Sequence, residues 1–347
     1  MKQFYDGTKL LTLNDIDGLK PEIYMCVGNR TAGKSYFFKR LLVRKFLKYG
    51  EKFALLVRFS YELEGIAENF FKDLQQIDFK GSVMSSKSVA KGLFQEFYLD
   101  GVHCGYAVAL NTADTLKKYS SRFVDVDNMF FDEFQSEIGK YAPDEIKKFM
   151  SVHVSIARGD GEHVRRVPVY MASNTVSVLN PYFATFGIQK RLTADTKFLR
   201  GRGWVLEQCY VDTAAKAIKE SGFGRAFEST DYMNYATDNS YLLDNDAFIE
   251  KIEGQGRLIA NMTADDLTVG VWEHEKKGII YVSTKFDPSF PINITFRTKD
   301  HGVNYIMVRN NSMIAKYLKQ MFELGCLRFE NLATKNLALD FLGYSVL

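Results

Sequence analysis

The chain has 347 residues, 46% hydrophobic and 14% aromatic, with a net charge of +3. That length exceeds one ordinary domain, and a composition this rich in core-forming residues excludes a disordered chain. The longest apolar runs fall far short of a membrane span, the N-terminus lacks a signal-peptide pattern, and the four cysteines (Cys26, Cys104, Cys209, Cys326) are scattered with no CxxC, which argues against a disulfide framework or zinc module and fits a reducing compartment.

In chain order, Glu22–Val27 reads as a buried strand that enters a glycine-bearing loop, and a helix runs from Ser35 to about Lys48. Lys52–Phe59 reads as a second buried strand, followed by a helical stretch over about Tyr61–Ile77. Gly105–Leu110 and Asn128–Phe134 read as further strands, Asp144–Ala157 has helical spacing, and Val167–Asn174 is a strand ending in small polar residues. Buried strands alternating with helices predict a parallel sheet covered on both faces. From about Phe198 the segments FLRGRGW and ESGFGR are glycine-rich and basic, as expected of a linker with a small intervening element. Beyond Phe227, GRLIANM, LTVGVWEH, GIIYVST and PINITFRT read as closely spaced strands, with EHEKKG (Glu273–Gly278) as a hairpin turn. Helices follow over Ser312–Leu324 and about Leu332–Leu342. The expected organisation is an α/β domain over 1–197, a linker or lid over 198–227, and a small α+β domain over 228–347.

The charge is unevenly placed. Residues 1–225 carry 33 basic against 26 acidic side chains, and residues 226–347 carry 12 against 16. A modestly basic front part suits a polyanion, and it equally suits an ordinary solvated surface.

Gly28-Asn29-Arg30-Thr31-Ala32-Gly33-Lys34-Ser35 satisfies G-x-x-x-x-G-K-[ST] in full. Its glycines let the backbone wrap phosphate oxygens, and its N–H groups and the following helix N-terminus face the anion. Lys34 can reach the β- and γ-phosphates of a triphosphate such as ATP, and Ser35 can ligate Mg²⁺. Arg30 inside the loop either lies over the phosphates, contacts a neighbouring subunit, or simply faces solvent.

The loop alone suits a kinase, a GTPase or an ATPase, and NMFFDEF separates them. Asp132 ends an apolar strand, where a Mg²⁺-linked acid belongs, and Glu133 follows it. A carboxylate there can orient and deprotonate a water aimed at the γ-phosphate, a group that a small-molecule kinase does not need. No guanine-specifying NKxD is present. Acids after a strand can also simply favour a helix N-terminus. Asn174, at the end of the next strand, either senses the γ-phosphate or starts a turn. Arg158, in SIARGDGEHVRR, either enters a neighbour's site as a charge-stabilising finger or is a surface arginine; Arg165 and Arg166 share that ambiguity.

FFDEF, ASNTVSVLNPYF (Ala172–Phe183) and LTVGVWEHEKKGIIYV (Leu267–Val282), with GFGR and LRFEN, resemble the DNA-packaging ATPases of phi29-type tailed phages, a compact branch of the terminase-like motors, through nearly the whole chain. The resemblance implies an N-terminal P-loop ATPase of the additional-strand, catalytic-glutamate class and a C-terminal ribonuclease-H-like domain without nuclease activity. It makes Gly28 to Ser35 the nucleotide-binding loop, Ser35 and Asp132 the metal-linked pair, Glu133 the catalytic acid, Asn174 the sensor and Arg158 the trans-acting arginine. One of Lys117, Lys118 and Arg122 matches a further basic residue acting across the subunit interface, and Arg58 an arginine that holds the glutamate inactive. It also implies a homo-oligomeric ring of five subunits that uses ATP and Mg²⁺ to move double-stranded DNA. Its platform would be the portal of a procapsid, with a packaging RNA, in the host cytoplasm; the motor would not stay in the mature virion, and no membrane is involved. The second domain supports this chemically, because its strands LTVGVW and GIIYV carry no acid, while Asp265, Asp266, Glu273 and Glu275 lie at strand ends or in the turn. The rival readings are a helicase or other nucleic-acid-remodelling ATPase and a nucleotide kinase with the glycine-rich stretch as its lid. A third is a non-enzymatic scaffold. Aromatics near Phe4 and Tyr5 are the guess for an adenine pocket.

Overall fold

The computed structural model describes residues 5–159, 164–176, 180–188, 191–192, 196–228, 233, 237, 248–254, 256–264, 267–308 and 312–344. Phe4, Asp265 and Asp266 lie outside them. The chain divides into two compact units, one of Met1–Ser177 with Asp195–Tyr241 and one of Val178–Ala194 with Leu242–Leu347.

Among the described residues the first unit has nine strands: β1 (Ile23–Gly28), β2 (Lys52–Val57), β3 (Met84–Val89), β4 (Phe94–Leu99), β5 (Val102–Ala109), β6 (Val126–Asp132), β7 (Val169–Asn174), β8 (Phe198–Gly201) and β9 (Trp204–Cys209). Their order across the sheet is β3-β4-β5-β2-β6-β7-β1-β9-β8. The six central strands, β5 to β9 in that order, are parallel, and antiparallel partners extend both edges. β7 therefore lies between β1 and β6, the strands that carry the phosphate loop and the acid pair.

The sequence explains the layers. β1, β2, β6 and β7 are apolar on both faces, as strands sandwiched between helices must be. Helices α1 (Thr8–Thr12), α2 (Lys34–Tyr49) and α3 (Ile66–Ile77) cover one face; α4 (Ala113–Leu116) and α5 (Glu145–Ile156) belong to the other. Phe38 of α2 stacks on Tyr170 at 5.5 Å between centroids and meets Phe130 at 5.8 Å, while Phe149 of α5 stacks on Phe131 at 6.4 Å. Adjacent residues of β6 thus feed opposite cores, which fixes its register.

Two stretches differ from expectation. FLRGRGW is not linker: β8 and β9 form a hairpin turned at Gly203 (φ 73°), and β9 pairs in parallel with β1 all along its length. The glycines serve a tight turn rather than flexibility. Residues 178–194 belong to the second unit, so its division from the first is not one cut near 197. Between the two segments of the second unit in sequence come α7 (Asp212–Glu220) and α8 (Gly222–Ala226), both in the first unit.

The second unit has strands β10 (Arg257–Ala264), β11 (Leu267–His274), β12 (Ile279–Ser283), β13 (Asn293–Thr295), β14 (Tyr305–Met307) and β15 (Leu327–Phe329), in the order β14-β13-β10-β11-β12-β15. β11 runs antiparallel to both β10 and β12, and the outer strands join in parallel. Its helices are α6 (Pro181–Phe186), α9 (Met313–Glu323) and α10 (Leu332–Tyr344). Val269, Val271, Ile280, Val282, Leu327 and Phe329 share one sheet face and form the core with α9 and α10. No helix among the described residues is long and apolar enough to cross a membrane.

Candidate nucleotide-binding site

The loop between β1 and α2 is held by its surroundings. Gly28 pairs with Cys209, and a Cβ there would lie 2.1 Å from the Cys209 carbonyl oxygen and 2.4 Å from its sulfur, so only glycine lets β9 approach. Gly33 takes a left-handed conformation (φ 91°) as the N-cap of α2, and Thr31 does so without being glycine (φ 58°). Asn29 is wholly buried; its amide donates to the Val211 carbonyl at 3.1 Å and its carbonyl accepts from the Val211 N–H at 3.0 Å. From behind, the Tyr5 N–H donates to the Ala32 carbonyl at 2.8 Å. The Tyr5 hydroxyl donates to Glu207 at 2.8 Å and its ring packs against Phe37 and Phe38, so Tyr5 braces the loop from inside the core rather than offering a face to a base. Burial, the largest cause, together with the Cys26 thiol and the Glu207 charge, pushes its phenol pKa far up.

The sheet brings the expected residues together. Lys34 is 5% exposed, and its ammonium donates to the carbonyls of Gly28 (3.0 Å) and Asn29 (2.6 Å) and to Asn174 Oδ1 (3.3 Å). Asn174 can be reached because β7 lies beside β1, with Gly28 and Asn174 in register. Ser35 Oγ donates to Asp132 Oδ1 at 2.6 Å, and Lys39 faces the other Asp132 oxygen at 3.3 Å. A hydroxyl and a carboxylate side by side are hard oxygen donors of the kind Mg²⁺ takes one or two of while keeping its waters. Glu133 follows in a left-handed conformation (φ 53°), which bends the chain out of β6 as the strand ends. Its side chain is exposed, yet crowding by protein, then the charges of Asp132 and Glu137, push its pKa up against the opposing pull of Arg30 and Lys39. Beside it, a cavity of about 210 Å³ opens between the ends of β2 and β6, lined by Lys39, Arg58, Asp132 and Glu133.

Glu137 was not singled out from sequence. It accepts from Asn174 Nδ2 at 3.1 Å and is ion-paired to Arg30. Arg30 therefore folds back over its own loop, and one chain of contacts runs Lys34–Asn174–Glu137–Arg30. Only its place four residues after Glu133 hinted at this, and an acid there reads equally well as surface.

Arg58 does not meet the Glu133 carboxylate. Its guanidinium pairs with Glu145 at 2.8 and 3.1 Å and donates to the carbonyls of Phe134 (2.7 Å) and Glu133 (3.5 Å). Phe131 and Tyr141 flank it. It anchors the segment behind Glu133 rather than the acid itself.

Arg158 is exposed just past α5 and donates to Ser120 Oγ at 3.2 Å. Ser120 belongs to the helical turn Lys117–Phe123, so Arg158 shares a neighbourhood with Lys117, Lys118 and Arg122. Lys117 pairs with Asp114 and Arg122 with Glu96. This cluster lies by the start of β6, whereas Asp132 ends it; seven extended residues separate the two by about 20 Å. Arg158 is thus not part of its own chain's loop site. Arg165 and Arg166 are structural: Arg165 donates to the carbonyls of Phe123, Val126 and Ile156, and Arg166 to that of Pro21.

The family model for the podovirus DNA encapsidation protein (Gp16) matches residues 2–345. The chain belongs to that family. It is 29% identical to the DNA packaging proteins of Bacillus phages PZA and phi29 over 346 residues, which cover 97% of this chain and 96% of each relative. Among solved structures, the bacteriophage phi29 viral genome packaging motor assembly aligns over 99% of both chains at 28% identity with a TM-score of 0.56. The Phi-28 gp11 DNA packaging motor aligns over 100% of this chain with a TM-score of 0.60 at 16% identity, a likeness of fold. The expected phi29-type packaging ATPase is borne out.

Proposed function

We propose that this encapsidation-family protein is the ATP-driven motor that moves double-stranded DNA into a procapsid, and that it hydrolyses ATP at the site centred on Lys34, Ser35, Asp132 and Glu133. The observation that carries the reading is the 2.6 Å hydrogen bond from Ser35 to Asp132, which joins the phosphate loop to the strand end whose next residue is Glu133, in a chain matched to the family from end to end. The position of β7 between β1 and β6 supports the additional-strand, catalytic-glutamate class of ATPase.

In this reading the loop N–H groups and Lys34 hold the β- and γ-phosphates. To do so Lys34 exchanges its bonds to Gly28, Asn29 and Asn174 for phosphate oxygens. Ser35 and Asp132 would hold Mg²⁺, which supplies charge neutralisation at the phosphates when bound. Glu133 accepts the proton of the attacking water, and its raised pKa makes it a better base than a fully solvated carboxylate. Asn174 loses Lys34 as a donor when the triphosphate arrives and is the natural sensor of the terminal phosphate. Glu137 is a positioning residue that ties Asn174 to Arg30. Arg158, remote from its own loop, serves the neighbouring subunit's site in a ring of five. DNA is gripped through its phosphates, with a strong dependence on salt.

The second unit supports a ribonuclease-H-like reading by its three antiparallel strands extended in parallel on both sides, with helices on one face. We read it as a docking domain for the portal or an associated RNA, without nuclease chemistry. The Glu273 carboxylate is engaged by Arg257 and by the Tyr317 hydroxyl at 2.9 Å.

The test is DNase protection of duplex DNA incubated with procapsids, protein and ATP. The wild-type chain should protect full-length DNA and leave a forked duplex unseparated, while Lys34→Ala should neither hydrolyse ATP nor protect. Strand separation of the fork, or protection by Lys34→Ala, overturns the reading.

A further inference from the structure

The second unit contains a cavity of about 360 Å³ on the sheet face opposite α9 and α10. Strand alternation puts it there. Val269, Val271, Ile280 and Val282 point into the helix-covered core, so Trp272, His274 and Tyr281 project from the other side. Trp272 and Tyr281 are register partners on neighbouring strands and form an aromatic floor. The floor is fixed from both ends: Trp272 Nε1 donates to the Lys285 carbonyl at 2.9 Å, and the Ile252 N–H donates to the Tyr281 hydroxyl at 3.4 Å. Gly256 closes over the histidine, since a Cβ there would lie 2.7 Å from His274 Nε2.

His274 is only 9% exposed, and its ring nitrogens make no hydrogen bond to any described residue. Burial, then the charge of Lys277, holds its pKa below the usual histidine range, so it is a neutral imidazole with one donor and one acceptor to offer. A neutral imidazole edge open to the cavity, beside two aromatic rings, suits a flat ligand with hydrogen-bonding edges. The charges at the cavity choose an anion. Lys251 and Lys285 are exposed at its edge. The acid of the lining, Glu330, is already bound by Ser283 Oγ (2.9 Å) and by Thr284 through its N–H and hydroxyl (both 2.6 Å).

We propose that this cavity binds one unpaired nucleotide, its base against Trp272 and Tyr281, its polar edge at His274, and its phosphate between Lys251 and Lys285. The volume lies within the range of small-molecule sites, and base stacking on aromatic side chains is tolerant of sequence. The site is in the unit that does not carry the phosphate loop, and it stands independently of the proposed hydrolysis.

The chain has two tryptophans, so full-length Trp204→Phe protein leaves Trp272 as the sole tryptophan reporter. With the phosphate loop saturated by ADP, this protein is titrated with single-stranded RNA and DNA octamers, AMP and a blunt duplex. Saturable, salt-sensitive quenching by the octamers, at least about tenfold weaker in Lys251→Glu/Lys285→Glu, is the expected result. Quenching by AMP with none by the octamers assigns the same cavity to a free nucleotide. No saturable quenching by either the octamers or AMP, equal quenching by the duplex, or an unchanged charge-reversal variant overturns the proposal. Should Trp204→Phe fail to fold, ultraviolet crosslinking of the natural chain to a bromouridine octamer decides: a crosslink at Trp272 or Tyr281 supports the site, and crosslinks confined to the first unit overturn it.

Discussion

Glu133 is where electrostatics and chemistry meet. Glu133→Gln should lower kcat by about 10²- to 10⁴-fold while leaving nucleotide affinity intact, measured by single-turnover hydrolysis beside equilibrium binding. A carboxyl whose pKa rises on folding holds its proton more tightly when folded. It therefore costs stability as pH rises from the ordinary glutamate range through the raised value, and the cost persists above it. The amide has no such cost, so Glu133→Gln should melt at or above the wild-type temperature at pH 7.5, with the difference fading towards pH 4. A lower melting temperature at pH 7.5 would contradict this assignment. Glu137→Gln removes one of the charges that raise the Glu133 pKa and releases Arg30, which lowers it. The acidic limb of the kcat/KM profile should then move to lower pH; an upward shift would argue against the contact chain. Sequence made Lys34, Ser35, Asp132 and Glu133 legible because their chemistry is bound to strand-end and loop positions. Glu137 was not legible, because its partners are 37 and 107 residues away in sequence and only the fold supplies them.

Single elements carry the next level of constraint. Gly28→Ala places a methyl group inside the β9 backbone, so β1 and β9 must part; a loss of about 1–3 kcal/mol by denaturant titration, with weakened nucleotide binding, is expected. The Arg58–Glu145 pair is buried on both sides, with side chains 9% and 1% exposed. Arg58→Met removes the counter-charge of that buried carboxylate, which still accepts from the Ala142 N–H at 2.7 Å, and should cost about 3–5 kcal/mol, whereas adding Glu145→Leu should recover much of the loss. Failure of the double variant to recover would mean that Arg58 matters mainly through the Glu133 and Phe134 carbonyls. Most elements were readable from apolar periodicity: β11 matches LTVGVWEH residue for residue, and α9 and α10 lie where the helical spacing put them. The hairpin of β8 and β9 was not, because two glycines and two basic residues in seven positions look the same in a tight turn as in a linker. β3, MSSKSV, lacks a buried face pattern altogether and owes its place to pairing with β4.

At the scale of the whole molecule, the separation of Arg158 from its own phosphate loop is what motivates the proposed sharing of a site between subunits. Arg158→Ala and Glu133→Gln should each be inactive, and mixing them should restore part of the DNA-stimulated hydrolysis, since in the proposed ring a mixed assembly would contain interfaces with one intact glutamate and one intact arginine. Absence of any recovery, with both variants assembling normally, would rule out a shared site. Asn29 then sets what hydrolysis can drive. Its carboxamide is clasped on both sides by the main chain of Val211, the residue immediately before α7. Any displacement of the loop at Asn29 must be shared by Val211 or break both bonds, so the phosphate cradle and the start of α7 are tied together within the first unit.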